Sequence, residues 1–236
     1  MTPAAGAGWL AFWNTDHPIY VNARHRDAHY RRVAEDILGM LPSGRPRVLD
    51  YGCGEALHAK SVSERCERLF LHDEAQSVVE QLARRFAGVP EITVLGPGRL
   101  SSLETGSLDM IVVNSVIQYL GPEDFTQLLG IWRLLLKNSG TLVLADVVSP
   151  DTGMAADARA LLAFARREGF LGAALLGLLR TFSSDYVRVR RRHGFARYRE
   201  GEMLALLAQA GYRAERRRRN FGINPRRMTF LAHPLP

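Results

Sequence analysis

The sequence predicts an α/β protein built on a parallel sheet with helices on both faces. Short apolar runs of strand length alternate with amphipathic runs of helix length between about residues 45 and 150. The first apolar run, Val48-Leu49-Asp50, enters a glycine turn, Tyr51-Gly52-Cys53-Gly54, and then a helical stretch. The next apolar run, Leu69-Phe70-Leu71-His72, ends in Asp73-Glu74. A strand, a glycine turn, a helix and a second strand tipped with acid form the first half of such a sheet.

The elements follow in order. Residues 1 to about 22 read as an irregular arm with Trp9, Phe12, Trp13 and Tyr20. Asn22 is placed to cap a helix from about Ala23 to Met40, which Leu41-Pro42-Ser43-Gly44 stops. Strands are expected at Arg47–Asp50, Arg68–His72, Ile92–Leu95, Leu108–Asn114 and Thr141–Asp146. Helices are expected at about Ala56–Arg65, Ala75–Phe86 and Pro122–Leu136, the last opened by a proline in its first turn. Residues 151 to 194 are too long a stretch for an ordinary loop, and Ala155–Leu179 reads as a helix. Its part from Gly169 to Leu179 is apolar on nearly all sides, so it is buried in protein or lies at a membrane surface. A helix at Glu200–Ala210 and two strands, Tyr212–Arg219 and Arg227–His233, complete the chain.

Composition sets further bounds. The chain has 236 residues, 47% of them hydrophobic, which is enough for one α/β domain with a sizeable core. No stretch has the form of a secretory signal or reaches the ~18 apolar residues of a membrane span. Cys53 and Cys66 are the only cysteines and lack metal-ligand spacing, so no metal is expected and a reducing cytoplasm is. Net charge is +7, carried almost wholly by arginine, since only Lys60 and Lys137 are lysine. Arg188, Arg190, Arg191 and Arg192 form one cluster and Arg216 to Arg219 another. They read either as solvated faces or as sites for anionic partners.

The site is expected where the first two strands end. A glycine turn lets backbone approach a ligand, and an acid on the second strand can take both hydroxyls of a ribose. Dinucleotide binding needs a third glycine, but Leu57 stands there. Asp50, just before the glycines, sits badly beside a pyrophosphate and well beside an ammonium group. These features point to S-adenosylmethionine, which carries an ammonium, a sulfonium and an adenosine and no phosphate.

Here the sequence resembles the class I S-adenosylmethionine-dependent methyltransferases. Their first motif corresponds to Asp50-Tyr51-Gly52-Cys53-Gly54-Glu55-Ala56, with Ala56 in the last glycine slot. Gly106-Ser107-Leu108-Asp109-Met110-Ile111-Val112-Val113-Asn114 looks like the family's fourth strand and its lead-in. The run from Leu134 to Leu144 looks like a helix end, a glycine turn and the fifth strand. The resemblance covers roughly residues 45 to 150, with a weaker echo in the last hairpin. It implies a Rossmann-like, seven-stranded, mostly parallel doubly wound sheet with an antiparallel C-terminal strand. It also implies one methyltransferase domain over 1–236, with an N-terminal arm and lid helix (1–44), a cofactor-binding core (45–150), an inserted helical cap (151–199) and a closing helix and hairpin (200–236).

The resemblance assigns the cofactor to Asp50, Gly52, Cys53 and Gly54, with Asp73 on the ribose and Glu74 as a second acid. Pro97 falls in the slot of the family's adenine-binding acid, which leaves the backbone near Gly98 and Arg99 to read the adenine. Tyr20 or Arg24 is placed to meet the methionine carboxylate, under an N-terminal lid. Asn114, Ser115 and Gln118 follow the fourth strand, at the edge where open α/β sheets bind ligands. Asn114 either orients an acceptor or caps the next turn. Asp146 either takes a proton from the acceptor or caps a loop. His25 and His29 are either general bases or occupants of one exposed helix face.

The expected function is transfer of a methyl group to a small hydrophobic or amphiphilic acceptor, with S-adenosylhomocysteine as product. The asparagine-proline-proline-aromatic signature of many base methyltransferases is absent after strand four, so no nucleic acid is expected. An RNA or protein methyltransferase with an arginine-rich face, and a non-catalytic sensor or partner subunit, are the alternatives. The location expected is cytoplasmic, with peripheral contact at the inner face of the membrane through residues 169–179.

Overall fold

The structure, a computed structural model, describes residues 20–181 and 195–236. Trp9, Phe12, Trp13 and the cluster from Arg188 to Arg192 lie outside the described residues. Seven strands form one sheet: β1 (Arg47–Tyr51), β2 (Arg68–His72), β3 (Ile92–Leu95), β4 (Leu108–Asn114), β5 (Leu136–Val147), β6 (Tyr212–Arg217) and β7 (Met228–Pro234). Their order is β3-β2-β1-β4-β5-β7-β6. The first five run parallel, with Asp50 opposite both Leu71 and Val112. β7 is antiparallel to β5 and to β6. The chain winds outward from β1 in one direction and from β4 in the other, so a crevice opens between their carboxyl ends.

The described helices are α1 (Ala23–Leu38), α2 (Ala59–Ser63), α3 (Gln76–Arg85), α4 (Pro122–Leu135), α5 (Met154–Glu168), α6 (Leu171–Thr181) and α7 (Glu200–Gln209). Asn22 caps α1 as the sequence predicts, its Oδ1 accepting from the His25 amide at 2.8 Å. Pro122 opens α4, with Glu123 and Asp124 in its positive first turn.

Three elements differ from expectation. The helix after the glycine turn shortens to α2, because Ala56 takes a left-handed φ of 42° and residues before Ala59 form turns. The predicted 155–179 helix is two helices. Gly169, with φ 76°, ends α5 in a left-handed cap, and a Cβ there would stand 2.9 Å from Arg24 Nη2. β5 begins at Leu136, without the expected glycine turn. Its register shifts against β4 between Leu108 and Met110, and a Cβ on Gly140 would lie 3.0 Å from the Leu108 carbonyl oxygen.

Two apolar layers cover the sheet. One contains Trp132, Phe125, Leu129, Tyr212 and Phe230. The other contains Val48, Leu69, Leu71, Val112 and Phe221. Trp132 is fully buried and meets the Tyr51 ring edge-on at 5.1 Å. Tyr51 in turn stacks on His72 at 4.6 Å. The core thus reaches the tips of β1 and β2 and props the crevice. Trp132→Ala is expected to cost about 3–5 kcal/mol and lower the melting temperature by roughly 10 °C, read by thermal unfolding.

Candidate functional site

The crevice holds a cavity of about 1990 Å³. A small-molecule site typically needs ~300–1,000 Å³, so the space admits a cofactor and a second reactant. Its floor is the glycine turn. The amides of Gly52 and Cys53 both donate to the His72 carbonyl, at 2.8 and 3.0 Å. The Gly54 amide donates to Asp73 Oδ2 at 3.0 Å, and the Ala75 amide to Asp73 Oδ1 at 2.9 Å. The Glu55 amide donates to the Tyr30 hydroxyl at 2.9 Å. Close approach explains the glycines. With φ 71°, Gly52 is left-handed, and a Cβ there would fall 2.4 Å from Val116 Cγ2. At Gly54, with φ 57°, it would fall 2.6 Å from Tyr30 Oη.

Two carboxylates meet over this turn. Asp50 is buried, lines the cavity and accepts no hydrogen bond among the described residues. Burial, and then the neighbouring Asp73, push its carboxyl up to about 7. Asp73 is also raised by burial, against which its backbone hydrogen bonds work. Its two amide donors leave about two of the four lone-pair sites of a carboxylate open to a ligand. Glu74 is exposed at the cavity rim, 3.5 Å from His72 Nε2. Cys53 lines the floor, but burial and then the two aspartates hold its thiol well above its ordinary value, so it is inert.

The far wall comes from β4 and β5. Asn114 and Gln118 line it, and Asn114 Oδ1 and Gln118 Oε1 are buried without a partner. Asn114 therefore caps nothing among the described residues. Ser115 and Asp146 both take left-handed φ values, 57° and 60°, costly for residues with a Cβ. They are tied together: Ser115 Oγ donates to Asp146 Oδ2 at 2.6 Å. Asn220 Nδ2 donates to Asp146 Oδ1 at 3.1 Å, and Arg227 also binds Asp146 Oδ2. Arg227 continues to Asp157 Oδ1 at 3.0 Å. Burial alone would lower the Arg227 guanidinium, but Asp146 and Asp157 outweigh it and hold it above its ordinary value.

Several expectations need correction here. Asp146 is not poised to take a proton, because both its oxygens are engaged by Ser115, Asn220 and Arg227. His25 is not a free base. Its ring stacks on Phe170 at 4.9 Å, its Nδ1 accepts from the Val21 amide at 3.3 Å, and burial, then His29, lowers it to about 4. The two histidines do not share an exposed face: both line the cavity, and burial lowers His29 to about 4 as well. Arg24 lies against Gly169 and, like Arg99, is not part of the lining. Gly98 does line it, with Leu100 and Ser101. Tyr20 closes the top, packed among His25, His29 and Tyr30 at ring distances of 5.3 to 5.8 Å.

Four contributions escaped the sequence reading: Tyr30, His72, and the pair Asn220 and Arg227. His72 had a visible signal, a polar residue ending an apolar strand. It is fully shielded, neither ring nitrogen makes a hydrogen bond, and burial lowers it to about 4. Asn220 and Arg227 had none, since the hairpin that carries them reaches the site only through the antiparallel return of β7.

Comparison with known proteins agrees with this fold. Residues 48–140 match a family model described as a methyltransferase domain. The fold is similar to a phosphoethanolamine N-methyltransferase 1 from Haemonchus contortus, solved with phosphoethanolamine and S-adenosylhomocysteine, at 20% identity and a TM-score of 0.52. That match covers 63% of this chain, which spans only 34% of that enzyme. A SAM-dependent methyltransferase from Leishmania major is similar over 97% of this chain and 82% of its own, at 14% identity and a TM-score of 0.60. The N,N-8-amino-8-demethyl-D-riboflavin dimethyltransferase of Streptomyces davawensis is similar over 86% of this chain and 54% of its own, at 16% identity and a TM-score of 0.56. Comparison with curated protein sequences finds no match.

The raised Asp50 carboxyl sets a pH dependence. The folded state keeps this proton up to about pH 7, while the unfolded chain loses it near 3.8. Stability contributed by this group therefore falls as pH rises from about 4 to 7. Asp50→Asn is expected to melt roughly 5 °C above the wild type at pH 8 and at the same temperature near pH 4, measured by calorimetry.

Proposed function

We propose that this chain, which carries the class I S-adenosylmethionine-dependent methyltransferase fold, moves a methyl group to a small hydrophobic or amphiphilic acceptor. The observation that carries the reading is the pairing of Asp50 and Asp73 over one glycine turn. Asp50 is a buried acid without a partner, which is what an incoming ammonium requires. Asp73 retains lone pairs for two ribose hydroxyls after fixing the turn. Gly52 and Gly54 keep side chains out of the space that both acids face.

S-adenosylmethionine supplies the methyl group on a sulfonium and departs as S-adenosylhomocysteine. What the protein must add is alignment and exclusion of water, which can remove ~7–11 kcal/mol of barrier. Tyr20, with α1, covers the site on one side. Asn114 and Gln118 belong to the wall opposite the glycine turn, their amide oxygens buried without a partner. No residue needs to act as nucleophile. A base is needed only for a hydroxyl or a protonated amine. Of the two histidines on α1, His29 is the neutral ring in the cavity without a described hydrogen bond.

Two of the similar enzymes, by their names, methylate amino groups of small molecules. That agrees with a small acceptor here. The arginine run at 216–219 gives the RNA or protein alternative little support: Arg216 pairs with Glu200 at 2.7 Å, and Arg217 lies over the Phe221 ring at 5.9 Å.

Two outcomes are expected. Gly52→Val and Asp73→Ala, each checked for folding by thermal unfolding, should weaken S-adenosylmethionine binding at least ~tenfold by calorimetry, since a hydrogen bond to a charged group is worth ~1.5–3 kcal/mol. Unchanged affinity in both would remove the site assigned here. Binding should also select the ionised form of Asp50. Below pH 7 it should therefore weaken and release a proton, visible as a dependence of the heat on buffer ionisation. Above about pH 8 it should weaken again as the cofactor's own amine loses its proton. Asp50→Asn should abolish the acid limb and the proton release.

A further inference from the structure

Helix α6 has a face that neither the core nor the proposed reaction uses. Its inner side is well defined. Phe170, at its entry, and Ala174 are buried, and a Cβ on Gly177 would stand 2.3 Å from Val21 Cγ1. On the opposite side Leu171, Leu175, Leu176 and Leu179 are 39%, 50%, 48% and 72% exposed. At about 100° per residue these leucines and Gly172 share an arc of about 140°. Nothing charged or polar interrupts the sequence from Gly169 to Leu179. A solvated helix places its charges on that side, and four leucines there mark a contact surface.

Charge selects the partner. Arg166 and Arg167, at the end of α5 beside the start of α6, are exposed, and neither pairs with a carboxylate among the described residues. The whole chain carries a formal charge of +7. A second copy would bring like charges together at the seam, whereas an anionic surface welcomes them. No helix among the described residues is long and apolar enough to cross a membrane, so the contact is one of lying on a surface.

We propose that α6 seats the protein on an anionic lipid surface, its leucines in the acyl boundary and Arg166 and Arg167 among the headgroups. The seat adjoins the cavity. Phe170 stacks on His25, and Tyr20, Asn22, Ala23 and His25 all line the cavity. An amphiphilic molecule held in the same surface therefore lies beside the lid. The inference stands apart from the methyl-donor reading, since lipid binding is measured without any cofactor.

The test is sedimentation of the full chain with vesicles of phosphatidylcholine alone or mixed equally with phosphatidylglycerol. The wild type is expected to sediment with the mixed vesicles, less as salt is raised. Leu175→Glu with Leu179→Glu is expected to lose at least ~tenfold in partitioning at an unchanged melting temperature. Leu175→Ala with Leu179→Ala decides the matter if the glutamate variant unfolds, and should lose binding in the same direction. Arg166→Gln with Arg167→Gln should bring the mixed vesicles down toward the phosphatidylcholine level. A wild type that stays in the supernatant with both vesicles, or leucine variants that sediment like it, would overturn the proposal. So would a dimer in sedimentation velocity that the leucine substitutions abolish, because a second copy would then own the face.

Discussion

The carboxylate of Asp73 holds the cavity open. One oxygen takes the Gly54 amide and the other the Ala75 amide, so the turn after β1 is pinned to the start of α3 through a residue at the tip of β2. Its other ties include the His72 carbonyl, the Tyr30 hydroxyl and Arg85, which donates to the Glu55 carbonyl. A glycine turn gains reach at the cost of backbone entropy, and only external hydrogen bonds can fix it in one conformation. Fixing it with an acid leaves that acid partly unsatisfied and beside a second one. Asp50 then stays protonated up to about pH 7 in the free protein. The same arrangement that orders the turn therefore creates a site short of positive charge.

The opposite wall is ordered differently. Ser115 and Asp146 sit in left-handed backbone, which costs of order 1–3 kcal/mol each for residues other than glycine. Their direct hydrogen bond, with Asn220 and Arg227 behind it, offsets that cost. Asn224 extends the network to Asp157 on α5 at 2.7 Å. Asn114, the residue before Ser115, lines the cavity, and its amide oxygen is buried without a partner. Strain on this wall thus serves position, and the charges of Asp146 and Arg227 are spent on each other.

Much of this was legible in the sequence because the governing constraints are local. The bounds of β2 and β3 follow from apolar runs whose neighbours in sequence are acid or glycine. Asp50, Gly52, Gly54 and Asp73 are recognisable because a turn's chemistry is written within the turn. The errors are of another kind. The split of the 155–179 helix turned on one glycine in left-handed backbone, whose missing side chain also makes room for Arg24 of α1. Asp146 looked like a proton acceptor because its partners, Asn220 and Arg227, are some seventy to eighty residues away in sequence, at separations of 74 and 81. His25 looked like a base because nothing in its neighbourhood announces Phe170. Long-range partners decide whether a polar side chain is free, and spacing does not report them.

This division has a chemical consequence. Binding an ammonium and a ribose needs two carboxylates at fixed separation, which a short motif on adjacent parallel strands can encode. Choosing an acceptor needs only shape and a few hydrogen bonds, since displacement at a sulfonium depends on alignment more than on a reactive side chain. In the proposed reaction that shape comes from α1, the segment after β4, α5 and the last hairpin, four pieces of the cavity lining separated along the chain. None of them must keep a particular residue for the chemistry to proceed. On the proposed function, the donor side is therefore read from one stretch of sequence, whereas the acceptor side exists only once the chain has folded.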